Sequence, residues 1–380
     1  MRDRRKRPCF VTCAPGIEPV LHGELRGLRL GRIERQVGGV YFEGTREDVL
    51  RANLELRTAV RVLERISRFE ARDADELHAG ASRVDWREYL VEGATLRVDA
   101  HTGESSALDH SLFVEQRVKD AVCDQLRSVG RARPDVDKDD PDIRLVAHLH
   151  RDRCTLLLDT SGESLHRRGW RRHQGRAPLA ENLAAALVLH SGWDRRSPVV
   201  DPFCGSGTLL VEAALLADGV APGLFRERFG LERLPGYDPR PLERLRAEAR
   251  SRSRPLPKLQ LVGSDRAADR VAEAEENLAA AGLAGRARLE VRDASELRLK
   301  RGWNGLLLTN PPYGERVGEE GDLRPLYRAL GERLRQDGEG YGVALFSGNR
   351  SLERELGLEL DGEVELLNGG LECRLLLARL

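Results

Sequence analysis

The chain has 380 residues, 40% hydrophobic and 33% charged, and its 62 basic and 62 acidic side chains sum to a formal charge of zero. That balance describes a soluble globular protein. It excludes a membrane bundle, because no stretch approaches the roughly 18 uninterrupted apolar residues of a spanning helix. The length exceeds one ordinary core, so two or three domains are expected. Only five of the basic residues are lysine, leaving 57 arginines. A G·C-rich genome alone produces such an excess, so the position of each arginine cluster is informative and the total is not. Six cysteines (Cys9, Cys13, Cys123, Cys154, Cys204 and Cys373) are scattered, without a Cys-x-x-Cys pair or zinc spacing, which fits a reducing compartment. Residues 1–8 are basic, but the apolar stretch behind them is too short for a signal-peptide core, so a cytoplasmic protein is expected.

Residues 9–13 read as a strand, 17–28 as an amphipathic helix with Val20, Leu21, Leu25 and Leu28 inward, 38–42 as a strand and 46–62 as a second helix. A strand over 63–69 follows, then segments at 86–90 and 96–100, a helix over 111–129 and a strand-like region over 143–158. These pieces lack long regular βαβ spacing, so residues 1 to about 160 form a separate α+β region. Asp135-x-Asp137-x-Asp139-Asp140-x-Asp142 resembles a calcium loop superficially, but Asp140 stands where Gly is needed and Val146 where Glu is needed. It reads as a solvated acidic loop. His148 and His150 share one strand face, yet Cys154 lies beyond a turn and nothing completes a set, so no metal is expected.

His166-Arg167-Arg168-Gly169-Trp170-Arg171-Arg172-His173-Gln174-Gly175-Arg176 holds five arginines, two histidines, one indole and no acid. Such a run reads either as a solvated linker or as a nucleic-acid contact. The Trp and the flanking glycines favour the contact, through Arg167, Arg168, Trp170, Arg171 and Arg172.

From Ala177 the pattern becomes strand and helix in alternation, which predicts a mostly parallel sheet with helices on both faces. A helix carrying Leu179, Leu183, Ala186 and Leu187 precedes a buried strand at 198–201. A glycine turn and a helix over 209–217 come next. Residues 220–258 are an Arg- and Pro-rich insertion. Strands follow at 259–263, 287–291, 306–309 and 341–346, with helices between them, and 364–367 and 373–377 form a terminal antiparallel pair.

Four strands end in ligand-type residues on one sheet edge. The first ends at Asp201, followed by Pro202-Phe203-Cys204-Gly205-Ser206-Gly207-Thr208, a turn whose glycines admit a ligand to the backbone at a helix N-terminus. Leu210 occupies the third position of G-x-G-x-x-G, so a nicotinamide cofactor fits poorly. The second strand ends at Asp265, an acceptor for a ribose diol, and the third at Asp293-Ala294, suited to an adenine edge. Either acid could equally be a helix N-cap. The fourth runs into Asn310-Pro311-Pro312-Tyr313, where two prolines stop the strand and hold an open turn. There the Asn310 side-chain carbonyl and a backbone carbonyl can both accept from one exocyclic NH2, while Tyr313 offers a ring for stacking. Taken alone, this turn is also compatible with a merely stiff loop.

Asp201-Pro202-Phe203-Cys204-Gly205-Ser206-Gly207-Thr208 and Thr309-Asn310-Pro311-Pro312-Tyr313-Gly314-Glu315-Arg316 resemble the first and fourth motifs of class I S-adenosylmethionine-dependent methyltransferases that modify exocyclic amines. The resemblance is closer to the RlmL-type large-subunit (23S) rRNA guanine-N2 methyltransferases. It extends over Ala14-Pro15-Gly16-Ile17-Glu18, Gly38-Gly39-Val40, Arg133-Pro134-Asp135-Val136-Asp137, Pro141-Asp142-Ile143-Arg144, Asp159-x-Ser161-Gly162 and Leu165-His166. It implies a ferredoxin-like part over 1–60, a THUMP RNA-binding domain over 61–160, a basic linker over 161–176 and a Rossmann-like methyltransferase domain with a mostly parallel seven-stranded sheet over 177–380. It also implies S-adenosylmethionine as donor, held by Asp201, Gly205, Gly207, Asp265, Asp293 and Asn310, with Pro202, Phe203, Ser206, Thr208 and Ala294 completing the motifs. The target base would meet Asn310, Pro311 and Tyr313, with Pro312 stiffening the turn. Some members carry a second methyltransferase domain; this chain stops at Leu380, so only the first activity is expected. The implied partner is rRNA or an assembling large subunit, with no membrane. A tRNA guanine-N2 enzyme, a DNA adenine-N6 or cytosine-N4 enzyme, and a non-catalytic ribosome-assembly factor are the rival readings.

Overall fold

A computed structural model describes residues 5–104, 107–173, 179–314 and 323–380. Gln174, Gly175 and Arg176 of the basic run, and Glu315 and Arg316 of the second motif, lie outside the described residues. The chain divides into two units. The first comprises Met1–Cys13, His22–Leu165 and Arg226–Ala247; the second comprises Ala14–Leu21, His166–Phe225 and Glu248–Leu380.

The first half of the chain supplies β1 (Arg7–Thr12), α1 (Glu18–Gly27), β2 (Gly31–Gln36), β3 (Gly39–Gly44), α2 (Arg46–Glu55), β4 (Arg61–Glu70), α3 (Ala74–Ser82), β5 (Thr95–Gly103), α4 (Ser111–Ser128), β6 (Asp135–Val136), β7 (Ile143–His150) and β8 (Arg153–Asp159). The strands form one eight-stranded sheet in the order β2-β3-β1-β4-β8-β7-β5-β6. The long strand β4 joins its halves: residues 61–64 pair with β1 and residues 63–70 with β8. Sheet hydrogen bonding is therefore continuous across position 60/61. Helices α2 and α3 pack on β4, and α4 on β5 and β7, with Val118, Ala121, Val122 and Leu126 inward.

Three elements differ from expectation. The helix expected over 46–62 opens with a Thr45/Asp48 capping box and stops at Glu55, because Leu56 turns extended. There the Glu24 carboxylate accepts from the Arg57 and Thr58 N–H groups, so residues 56–60 need no helical partners. The region expected over 143–158 is a hairpin, reversed at Arg151 and Asp152, both at positive φ. The segment at 86–90 is a single 3-10 turn. The acidic loop is not merely solvated. Asp142 accepts from the Thr95 N–H and hydroxyl, and Asp140 receives both Arg228 and Arg233. Arg226 donates to the carbonyls of Ser161, Glu163 and Ser164. Part of the insertion thus buttresses the first unit.

The second half supplies α5 (Glu181–His190), β9 (Val199–Asp201), α6 (Thr208–Ala217), α7 (Arg240–Arg252), β10 (Leu261–Asp265), α8 (Ala268–Ala280), β11 (Ala287–Val291), β12 (Leu306–Thr309), α9 (Arg324–Asp337), β13 (Gly342–Ser347), α10 (Arg350–Glu355), β14 (Gly362–Asn368) and β15 (Leu371–Arg379). The seven-stranded order is β11-β10-β9-β12-β13-β15-β14, with β9 to β13 mutually parallel and β14 and β15 antiparallel at one side. After β9 the chain fills one side of the sheet with β10 and β11, then crosses to place β12 against β9. That reversal is the point where open α/β sheets bind ligands, outside the carboxyl ends of the strands.

The basic run does not form the expected surface. Arg168 is 1% exposed, and its Nε lies 3.3 Å from Glu212 of α6, itself fully buried. Trp170 is likewise 1% exposed. Arg171 lies against the Trp170 ring and donates to Glu181 of α5 at 2.8 Å, to the Leu179 carbonyl and to the Thr208 hydroxyl. Arg168, Trp170 and Arg171 are therefore internal struts, and only Arg167 and Arg172 of the five keep exposed side chains. The run is acid-free locally, but its carboxylates arrive from helices ten and 44 residues away. Removing one partner of a buried pair leaves the other charge desolvated, at about 3–5 kcal/mol. Arg168→Ala should accordingly lose about that much stability in urea unfolding. An unchanged midpoint with weakened RNA binding would restore the surface reading.

Candidate active site

The carboxyl ends of β9, β10, β11 and β12 bring Asp201, Asp265, Asp293 and Asn310 to one edge of the parallel sheet. Asp201 is the most enclosed, at 1% exposure. Its Oδ1 accepts from the Thr309 hydroxyl at 2.6 Å and from the Phe203 N–H at 3.1 Å. The first contact ties the end of β9 to the end of β12 across the reversal point. Burial pushes the Asp201 carboxyl up to about 7, against the pull of those two donors and with a smaller upward push from the Asp265 charge.

The glycine turn follows. Gly205 has φ +51°, with open space where a Cβ would stand, and its N–H donates to Asp265 Oδ2 at 3.1 Å. Gly207 has a different task. At φ +80° it starts α6, and a Cβ there would stand 3.1 Å from the Ala274 Cβ of α8. Its missing side chain serves helix packing, where ligand access was expected. Pro202 and Thr208 are also buried, whereas Phe203, Gly205 and Ser206 keep partial exposure. Asn277 holds the turn from beneath: its Nδ2 donates to the Ser206 carbonyl, and its Oδ1 accepts the N–H groups of Arg172 and His173.

Asp293 caps the 3-10 turn after β11, whereas Asp265 accepts from the backbone ahead of α8, whose own N-cap is Ala267. Asp265 Oδ1 accepts from the Ala267 N–H at 3.0 Å. Asp293 Oδ1 accepts from the N–H and hydroxyl of Ser295, which hold its carboxyl below the usual range. Its Oδ2 is engaged by no described residue. Ala294 is buried, so only its backbone is available at an adenine edge. Burial raises the Cys204 thiol well above its ordinary value, so it is no nucleophile at neutral pH.

The turn after β12 is fixed at three points. Tyr327 donates its hydroxyl to the Pro312 carbonyl at 3.1 Å. The Tyr313 hydroxyl accepts from Asn368 Nδ2 at 2.8 Å, and its ring stands edge-on to Phe346 with centroids 6.5 Å apart. Gly348 is so close that a Cβ there would come within 3.2 Å of the Tyr313 ring. Asn310 Oδ1, in contrast, is buried and accepts from no described residue. An unsatisfied buried acceptor costs about 1–3 kcal/mol, so this oxygen has capacity for a further donor. Thr309, Asn277, Gly348 and Asn368 were not among the expected site residues. Asn277 had a detectable signal, as an amide within the apolar stripe of Val271, Ala274 and Leu278; Gly348 and Asn368 had none.

His148 and His150 stand side by side, ring centroids 6.4 Å apart, but Cys154 is buried on the opposite sheet face. Among the described residues no cluster of three or more His, Cys, Asp or Glu is placed to hold a metal. No described helix is long and apolar enough to cross a membrane.

The family profile of the RMKL-like methyltransferase domain matches residues 168–376. The chain belongs to this family. The RlmL ferredoxin-like domain matches residues 8–63 and the THUMP domain residues 71–159. The chain is 42% identical, over 98% of its length, to the ribosomal RNA large subunit methyltransferase K/L of Marinobacter nauticus, of which the match covers 52%. It thus spans about half the length of the curated relatives it matches. SMU.472, crystallised in complex with SAH, superposes with a TM-score of 0.89 at 30% identity, over 99% of this chain and 98% of that one. A Listeria monocytogenes protein named a predicted N6-adenine-specific DNA methylase superposes with a TM-score of 0.87 at 29% identity, over 98% and 96%.

The raised Asp201 value fixes a sign. Its stabilising contribution is full below the unfolded value near 3.8 and is lost as pH rises through about 7. Asp201→Asn keeps an acceptor for Thr309 and does not titrate. The melting-temperature advantage of wild type over this variant should therefore shrink from about pH 4 to about pH 7 and then level off. A difference independent of pH would show that Asp201 is ionised throughout.

Proposed function

We propose that this chain transfers a methyl group from S-adenosylmethionine to the exocyclic N2 amine of a guanine in large-subunit rRNA, in the cytoplasm. The observation that carries this reading is the buried Oδ1 of Asn310 at the reversal point of the sheet, which has no donor among the described residues. S-adenosylmethionine supplies, when bound, an electrophilic methyl carbon on a sulfonium. The residues present suit it: Gly205 leaves space beside a left-handed turn, Asp265 and Asp293 have acceptor capacity for ribose hydroxyls and an adenine edge, and Phe203 is partly exposed.

The guanine N2 lone pair is delocalised into the ring and is a weak nucleophile. Asn310 Oδ1 and the Pro311 carbonyl accept its two N–H hydrogens, which favours a pyramidal nitrogen and frees its lone pair. Tyr327 occupies the Pro312 carbonyl, which leaves the Pro311 carbonyl for this task. The work is positioning and electrostatic stabilisation, without a covalent enzyme intermediate. The base must leave its stack, at a cost of a few kcal/mol, and Tyr313 offsets part of that with a ring held in place by Asn368 and Phe346.

The test is methylation of protein-free rRNA and tRNA by the purified chain, read by mass spectrometry of nucleosides. N2-methylguanosine in rRNA is expected, while N6-methyladenosine or a product in tRNA alone would move the assignment. Asn310→Ala should lower turnover by about 100-fold or more, with donor affinity by calorimetry largely retained. Unchanged turnover in that variant would remove the amide from the mechanism.

A further inference from the structure

The helix-free face of the eight-stranded sheet is a feature that the proposed methyl-transfer site leaves unused. It forms an open groove of about 950 Å³, lined by alternate residues of β2, β3, β1, β4, β8, β7 and β5, all within the first unit. Its floor is a separate small apolar cluster of Leu63, Val146 and Leu157, apart from the core beneath the helices. Beside the floor, Phe10 of β1 and Tyr41 of β3 are direct cross-strand partners and line the same face.

The charge on this face is uneven. Its acids already face cations: Glu34 and Glu43 lie near Arg32, and Asp99 is held by Arg97 and Arg144. Arg65, Arg68 and Arg153 also line the groove, and no described carboxylate lies within ion-pair distance of them. Arg65 and Arg68 are three positions apart, which in a regular strand would put them on opposite faces. A register shift between Arg65 and Ser67 inserts one residue, so Arg65 pairs with Leu157 and Arg68 with Thr155, two residues that both line the groove. The bulge adds the second arginine to the face.

We propose that this groove binds an unpaired segment of the substrate RNA, its phosphates at Arg65, Arg68 and Arg153 and its bases over Phe10, Tyr41 and the apolar floor. This rests on RNA being the substrate. A duplex would present phosphates to the arginines but keep its bases stacked inside, leaving the rings and floor uncovered. An unpaired strand satisfies both, because base–aromatic stacking and backbone neutralisation are the two components of single-strand binding.

The test is fluorescence anisotropy with an unpaired oligoribonucleotide of about 12 nucleotides, inside the usual single-strand site range, and with a hairpin duplex of similar charge. Wild type should prefer the unpaired probe. Arg68→Glu with Arg153→Glu should weaken that probe at least about 10-fold and flatten its salt dependence. Phe10→Ala or Tyr41→Ala should weaken it about 5-fold or more. Melting temperature and donor binding should be unchanged in each variant. Unchanged affinity in these folded variants overturns the inference. Equal affinity for duplex and single strand also overturns it, since phosphates alone would then carry binding. Failure here is separable from failure of the proposed function. If wild type methylates rRNA and the variants keep both affinity and turnover, only the groove is wrong. If wild type methylates no RNA while the variants still lose the unpaired probe, the reaction is wrong and the groove stands.

Discussion

The second unit depends on one short contact, the Thr309 hydroxyl donating to the buried Asp201 carboxyl. It sits where the sheet reverses direction, between the strand that launches the glycine turn and the strand that launches Asn310. Both strands are otherwise apolar there: Val199 and Val200 lie beside Leu306 and Leu307. The single polar link therefore sets how the two turns are spaced. Burial makes the Asp201 charge expensive, and the hydroxyl, with the Phe203 N–H, offsets part of this.

Beneath that link the arginine-rich run acts as internal scaffolding. Arg168 reaches Glu212, Arg171 reaches Glu181 and Thr208, and Asn277 ties the backbone of residues 172 and 173 to the Ser206 carbonyl. Each partner lies on an element that supports the glycine turn. A guanidinium suits this task, because its planar fork reaches several acceptors at once and stays charged when buried. The arginines proposed for RNA lie on a sheet face whose sequence does not look basic: Arg65, Arg68 and Arg153 are separated by strands and turns and are gathered only by pairing.

That contrast explains what could be read from the sequence. The seven-stranded sheet was legible because its parallel strands are short apolar runs punctuated by glycine and by acids, so their ends could be located to within a residue or two. Asn310 and Asp265 were legible because a polar group at a strand end is conspicuous. The strand Gly31–Gln36 was not, since it is an edge strand with most of its residues exposed and no apolar alternation. The basic run misled because local composition says nothing of the carboxylates that other helices supply. Gly207 misled in the same way, since its neighbour Ala274 is 67 positions away in the chain.

On the proposed reading, the acids at the sheet edge combine a structural role and a ligand role in one side chain. Asp265 accepts from the N–H groups of Ala267 and of Gly205 in the glycine turn, and Asp293 from that of Ser295, and a carboxylate has acceptor capacity beyond those bonds. These hydrogen bonds orient each carboxylate before any ligand arrives, so ordering it costs little at binding. Asn310 is built the other way. Its neighbours on the turn are tied by Tyr327, Asn368 and Phe346, yet its own Oδ1 has no donor among the described residues. A site that held this oxygen in an internal hydrogen bond would be more stable and would have to break that bond to engage an amine. On the proposed reading, leaving it bare in a rigid frame places the desolvation cost in the free protein, so that a hydrogen bond to the incoming amine would remove that cost as the reacting nitrogen is positioned.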